Sequence, residues 1–139
     1  WGFVSGAELP SAKFILEKRL GLSTAPLIAM GDAPDKPDPT GFISLSSILS
    51  ERPLGVANIP IAYIGDTVAD VKTVINARDR IPQQKFISLA IAPPHLHGDF
   101  NLHRRLIYED KLRSAGADLI INSMENLKKE IINLFTNQK

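Results

Sequence analysis

Ile61-Ala62-Tyr63-Ile64-Gly65-Asp66-Thr67-Val68-Ala69-Asp70 is the stretch on which the fold turns. An apolar run from Ile59 to Ile64 predicts a strand buried on both faces, as in a parallel sheet. Gly65-Asp66-Thr67 turns the chain into a helix through about Ala77, with Val71, Val74 and Ile75 apolar. Ligands of open α/β sheets bind beyond the carboxyl ends of the strands, and Asp66 falls at such an end. Asp70 follows four residues later, so both carboxylates can face one side of the first helical turn. The pair reads in two ways: as a helix N-terminal cap, or as hard oxygen ligands for Mg²⁺, which takes few carboxylates and keeps waters and phosphate as its other ligands.

Outward from this stretch, apolar runs alternate with helical patterns at short intervals, which predicts an α/β class: a Rossmann-like parallel sheet flanked by helices. Upstream, Trp1–Val4 reads as a first strand. A helix follows with Pro10 in its first turn, Ala12, Ile15, Leu16 and Leu20 at helical spacing, and Gly21 as its C-cap. Pro26–Met30 reads as a second strand, and Gly41–Ser50 as a helix with Phe42, Leu45 and Leu49 on one face. Downstream, strands are expected at Phe86–Ala92 and Ala117–Ile121, and helices at about Leu102–Ala115 and Met124–Phe135.

The chain has 139 residues, suited to one compact core; 44% are hydrophobic and 22% charged, ordinary for a soluble domain. A formal net charge of +1 gives no field that would gather nucleic acid or an anionic membrane, so neither is expected as a partner. No apolar run approaches membrane-spanning length. The lack of cysteine excludes disulfides and thiolate metal sites and fits a reducing, cytoplasmic setting.

Two further motifs bear on chemistry. In Asp35-Lys36-Pro37-Asp38-Pro39-Thr40 two prolines fix φ and stiffen the loop around one lysine. A lysine held in this way is a point charge for phosphate; the plainer reading is a turn in which Pro39 starts the next helix. Phe3-Val4-Ser5-Gly6 places a hydroxyl and a glycine backbone at a strand end, where both can donate to a phosphoryl oxygen. His95, His97 and His103 read as a solvated loop entering a polar helix rather than a metal site. Arg104, Arg105 and the Lys128-Lys129-Glu130 run read as solvated helix faces.

Taken together, in this order and spacing, the motifs resemble motifs two, three and four of the haloacid dehalogenase-like (HAD) superfamily. Ser5-Gly6 is similar to motif two, Asp35–Pro39 to motif three and Gly65–Asp70 to motif four. Gly116–Ile121 with Ser123–Leu127 is similar to the usual ending of the family. The pattern fits subfamily I best, the phosphoglycolate phosphatase and β-phosphoglucomutase type.

The resemblance covers essentially residues 1–139 and implies a partial HAD-like hydrolase core. It implies a phosphohydrolase acting on a small phosphorylated metabolite, with Mg²⁺ as cofactor. Ser5 and Lys36 would be catalytic. Ser5, Gly6 and Lys36 would bind the phosphoryl group. Asp66 would ligate the metal, and Asp70 would ligate it through water or hold Lys36 in place. The family also uses an Asp-x-Asp motif one, whose first Asp attacks phosphorus, and no Asp-x-Asp precedes Ser5. That motif and the subfamily I cap would lie outside this stretch, the chain by itself would be inactive, and the central strand between Gly2–Ser5 and Ile61–Ile64 would be missing. The Asp66–Asp70 pair argues for a phosphatase over a dehalogenase. The alternatives are a non-catalytic receiver-like domain, which would carry an early acidic pair not found here, and a degenerate HAD domain with a binding role.

Overall fold

The computed structural model describes residues 1–50, 52–55, 59–129 and 132. They form a small α/β domain of parallel strands flanked by helices, a generic Rossmann-like arrangement. β1 (Phe3–Val4) pairs in parallel with β2 (Leu27–Ile28), Phe3 opposite Leu27. β3 (Ile61–Gly65), β4 (Phe86–Ile91) and β5 (Leu119–Ile121) form a second parallel sheet in that order. Among the described residues β1 pairs with β2 alone and β3 with β4 alone. The strands are therefore divided between the two elements where the missing strand was expected, and one continuous sheet is not formed.

Among the described residues the α-helices are α1 (Leu9–Lys13), α2 (Thr40–Leu49), α3 (Val68–Arg80) and α4 (Leu102–Ser114), of which α2, α3 and α4 pack on the strands. α3 is the hub. Its Val74 and Ala77 pack with Phe42 of α2 and Phe86 of β4, while its Val71 packs with Ala90 and Leu112 of α4. The opposite face of the three-stranded sheet gathers Ile87, Leu89 and Ile121. Alternate residues of β4 thus serve the two faces, and Phe86 through Ala90 are all buried.

This corrects the expectation for the third strand. β3 is only half-buried, with Ala62 exposed and Ile59, just before it, 77% exposed. Full burial on both faces belongs to β4, because β4 has strand neighbours at both edges whereas β3 has one.

The first helix also departs from expectation. Pro10 lies in its first turn and Gly21 takes φ +69°, as a C-terminal glycine should. From Phe14 to Arg19, however, the turns widen to a π-helix, with the Leu20 N–H donating to Ile15 O. The wider turn rotates the apolar stripe, so Ala12 and Leu16 are buried while Ile15 and Leu20 are exposed. At the other end, Met124–Asn126 is a 3-10 turn running into helical residues 127–129. Residues 130, 131 and 133–135 of the expected closing helix lie outside the described residues. Among the described residues no helix is long and apolar enough to cross a membrane.

Asp118, in the ending noted above, has a structural task. Its carboxylate accepts from the Ser88 N–H at 2.6 Å and pairs with Arg78 of α3, whose guanidinium also donates to Phe86 O. One side chain thereby ties the start of β5 to β4 and α3.

Candidate functional site

The carboxyl end of β3 is built around Asp70. The Thr67 hydroxyl accepts from the Asp70 N–H at 3.1 Å, and the Asp70 carboxylate accepts from the Thr67 N–H at 3.0 Å, a reciprocal cap on α3. The same Oδ2 accepts from the Thr67 hydroxyl at 2.6 Å. Oδ1 accepts from Lys36 Nζ at 2.6 Å and from the Tyr63 hydroxyl at 3.0 Å. Four donors therefore converge on one carboxylate whose side chain is 4% exposed. Burial opposes its charge, but the hydrogen bonds from Lys36 and Thr67, the Lys36 charge and the Tyr63 hydroxyl outweigh burial and hold its pKa below the ordinary value. The Tyr63 phenol is pushed up by its own burial and by the neighbouring Asp70 charge.

Gly65 makes this possible. A Cβ at residue 65 would lie 2.2 Å from Asp70 Cβ and 2.5 Å from its Cγ, so the carboxylate occupies the space that any other residue would fill. Glycine before Asp66 is thus a packing requirement of Asp70 rather than a turn requirement.

The loop bearing Lys36 is held by the same helix. Asn76 donates to Pro37 O at 2.9 Å, and Arg80 reaches Asp38 at 3.6 Å and the Thr40 hydroxyl at 2.7 Å. The Lys36–Pro37 peptide bond is cis. Asp38 accepts from the Thr40 N–H at 2.8 Å; hydrogen bonds from Thr40, and less so the charge of Arg80, hold its carboxyl below the usual range. The turn-plus-helix-start reading of Asp38-Pro39-Thr40 and the phosphate-lysine reading of Lys36 are compatible, since different residues carry them.

Ser5 ends β1. Its N–H donates to Ile28 O at 2.8 Å, and its Oγ accepts from the Ala7 N–H at 3.0 Å, which leaves the hydroxyl proton free to donate. Ser5, Gly6, Lys36 and Asp38 line one narrow crevice, with space of about 20 Å³, enough for roughly one water-sized group. Asp66 does not line it. Asp66 belongs to a second, wider depression of about 490 Å³ at the carboxyl ends of β3 and β4, together with His97, Ser123 and Met124. The Lys36–Asp70 bond brings the loop that follows β2 beside the end of β3, so Ser5, Lys36 and Asp66 share one end of the domain. They border two depressions, however, not the single space expected.

The two carboxylates thus have different environments. Asp70 is saturated by donors. Asp66 is half-buried, and among the described residues its carboxylate receives no hydrogen bond or ion pair; only its backbone carbonyl is engaged, by the Tyr108 hydroxyl at 2.9 Å. The Tyr108 phenol is raised by burial and by the charges of Asp66 and Asp70. Among the described residues no three His, Cys, Asp or Glu side chains gather as a metal cage. Mg²⁺ does not require one, since it binds through one or two carboxylates and retains water. Were Mg²⁺ to bind here, Asp66 would be the carboxylate open to it, since Asp70 is committed to Lys36.

Two expectations for α4 and its approach are corrected. Arg105 is not a solvated face: it donates to Glu109 at 2.6 Å, and the Glu109 side chain is 4% exposed. His97 is half-buried, with Nε2 2.7 Å from Ala92 O, whereas His95 and His103 are exposed. Lys128 and Lys129 are exposed as expected, and Glu130 lies outside the described residues.

Tyr63 and Tyr108 were not anticipated. A tyrosine inside an otherwise apolar strand carries a hydroxyl that needs a partner, and this signal marks Tyr63; nothing local marks Tyr108. Thr67→Ala is expected to cost about 1–2 kcal/mol in urea unfolding, since it removes the cap and one Asp70 donor together.

Against protein-family models and curated protein sequences, the chain finds no match.

Proposed function

We propose that this chain is the phosphate- and metal-binding part of a Mg²⁺-dependent HAD-type phosphohydrolase whose carboxylate nucleophile lies outside residues 1–139. The observation that carries the reading is the 2.6 Å bond from Lys36 Nζ to Asp70 Oδ1, which joins two motifs 34 residues apart at the carboxyl ends of parallel strands. Phosphoryl transfer is catalysed mainly by positioning and by fixed positive charge. Lys36, aimed by the Asp70 carboxylate, supplies that charge. Ser5 supplies a neutral donor from the same crevice, which admits one phosphoryl oxygen while the rest of the group stays at its mouth. Asp66 offers the open carboxylate for Mg²⁺, which when bound would neutralise phosphoryl charge. The substrate in this reading is a small phosphorylated metabolite. The division of strands between β1 and β3 supports a further strand that brings the nucleophile.

The test is amide-resolved NMR of the chain with inorganic phosphate and Mg²⁺. Phosphate should shift Ser5, Gly6 and Lys36, and Mg²⁺ should shift Asp66. Lys36→Ala should weaken phosphate binding by about tenfold, the loss of one charge-assisted hydrogen bond. Asp66→Asn should abolish the Mg²⁺ response. The chain should not hydrolyse p-nitrophenyl phosphate. Phosphate binding indifferent to Lys36→Ala sinks the reading, and turnover abolished by Asp66→Asn sinks the external nucleophile. The lack of Asp-x-Asp also favours a second reading, a HAD-like domain that binds phosphate without turning it over. Hydrolysis restored when an Asp-x-Asp strand is supplied in cis would eliminate it.

A further inference from the structure

The depression beside Asp66 lies outside the phosphate crevice, and its lining has a definite chemistry. Ile91, Pro94 and Met124 give it apolar walls, and Asp66, His97 and Ser123 give it polar ones. The Ala92 carbonyl can only accept, so the 2.7 Å contact with His97 requires the proton on Nε2. In the neutral ring Nδ1 then carries the lone pair, and among the described residues Nδ1 has no partner. Asp66 borders the same depression as the residue that would carry Mg²⁺. One open acceptor, His97 Nδ1, set among aliphatic and thioether surface suits a flat ligand that is apolar on its faces and carries a donor at its edge. A polyhydroxylated ligand would press hydroxyls against Ile91, Pro94 and Met124 without partners, which is costly. A volume of about 490 Å³ lies within the range of small-molecule sites.

We propose that this depression receives the leaving group of the phosphorylated substrate, and that this group is a flat, partly apolar ring with a hydrogen-bond donor. The proposal rests on the phosphohydrolase reading and deepens it. Asp66 walls the depression, and Asp70, one helical turn on, holds Lys36 in the neighbouring crevice. A molecule with its phosphate between Lys36 and Asp66 extends its ester group toward His97 and Met124. Part of substrate selection then resides in the core itself.

Three probes titrated into the whole chain test this by amide NMR: inorganic phosphate, phenol and phenyl phosphate. Phenol should shift Ile91, Ala92, His97 and Met124 and leave Ser5 and Lys36 in place. Phenyl phosphate should shift both sets and bind about five- to tenfold tighter than inorganic phosphate, the gain for one ring placed on apolar surface. His97→Ala and Met124→Ala should each reduce that advantage without changing inorganic phosphate binding; Met124 is 56% exposed, so its loss leaves the fold intact. Phenol moving none of these amides, or phenyl phosphate binding no better than inorganic phosphate, overturns the ring site. Inorganic phosphate leaving Ser5 and Lys36 unmoved while phenol still shifts His97 instead sinks the phosphohydrolase reading, and the leaving-group role with it.

Discussion

Gly65→Ala should lower the unfolding free energy by about 3 kcal/mol or more, the upper range for overpacking a tight site, and should disorder the Lys36 loop with it. The added Cβ would lie 2.2 Å from Asp70 Cβ. The obstacle is the root of the Asp70 side chain, not a flexible tip, so relief requires moving the first turn of α3 or the end of β3. Either shift separates Asp70 from Lys36, Tyr63 and Thr67. Urea titration should show a lower midpoint, and the Lys36 amide should lose its dispersion first. A midpoint within experimental error of wild type would mean that the approach of Asp70 to Gly65 is not built into the native state.

Asp70→Asn should be nearly as damaging, by about 3 kcal/mol at neutral pH, the scale for breaking one side of a buried ion pair. Each Asp70 oxygen faces two donors, and an amide turns one of these acceptors into a donor whichever way it is placed. Lys36 also loses its counter-charge. The pH dependence has a defined sign. The Asp70 pKa is lowered in the folded state, so its stabilisation is fully present above the unfolded Asp value of about 3.9 and is lost as pH falls through the folded value. The gap between wild type and Asp70→Asn should therefore be widest above about pH 5 and close in stronger acid, where a protonated Asp70 also presents a donor. A gap that stays constant from neutral pH down to strong acid would show that the charge of Asp70 contributes nothing.

Much of the candidate site could be read along the chain, because its parts are local. Ser5 after an apolar pair, Lys36 between a proline-bounded pair of aspartates, and Asp66 after an apolar run each announce a strand end or a stiff loop by their immediate neighbours. Strand ends at Val4 and Gly65 and the start of α3 at Thr67 follow from the same short-range patterns. Gly65 was read as a turn residue, and its true constraint came from a side chain five positions away. The spacing of Asp66 and Asp70 left cap and metal ligand equally open.

What the sequence by itself determined is the alternation of strands and helices and the identity of the polar residues at the strand ends, since periodicity and turn chemistry act over a few residues. Only the tertiary structure decided how these are shared out. It gave full burial to β4 rather than β3, because a strand is covered by its neighbours and not by its own composition. It divided the strands into two sheets, turned Ile15 and Leu20 outward through a π-helical turn, and drew Arg105 onto Glu109. Above all it separated the two aspartates, saturating Asp70 with donors from Lys36, Tyr63 and Thr67 and leaving Asp66 at the edge of a depression with no partner for its carboxylate among the described residues. Lys36 comes from a loop 34 residues away and Tyr63 from the strand before the turn. Whether a carboxylate is a cap, a lysine holder or an open ligand depends on which donors packing brings to it across space, and no spacing along the chain encodes that.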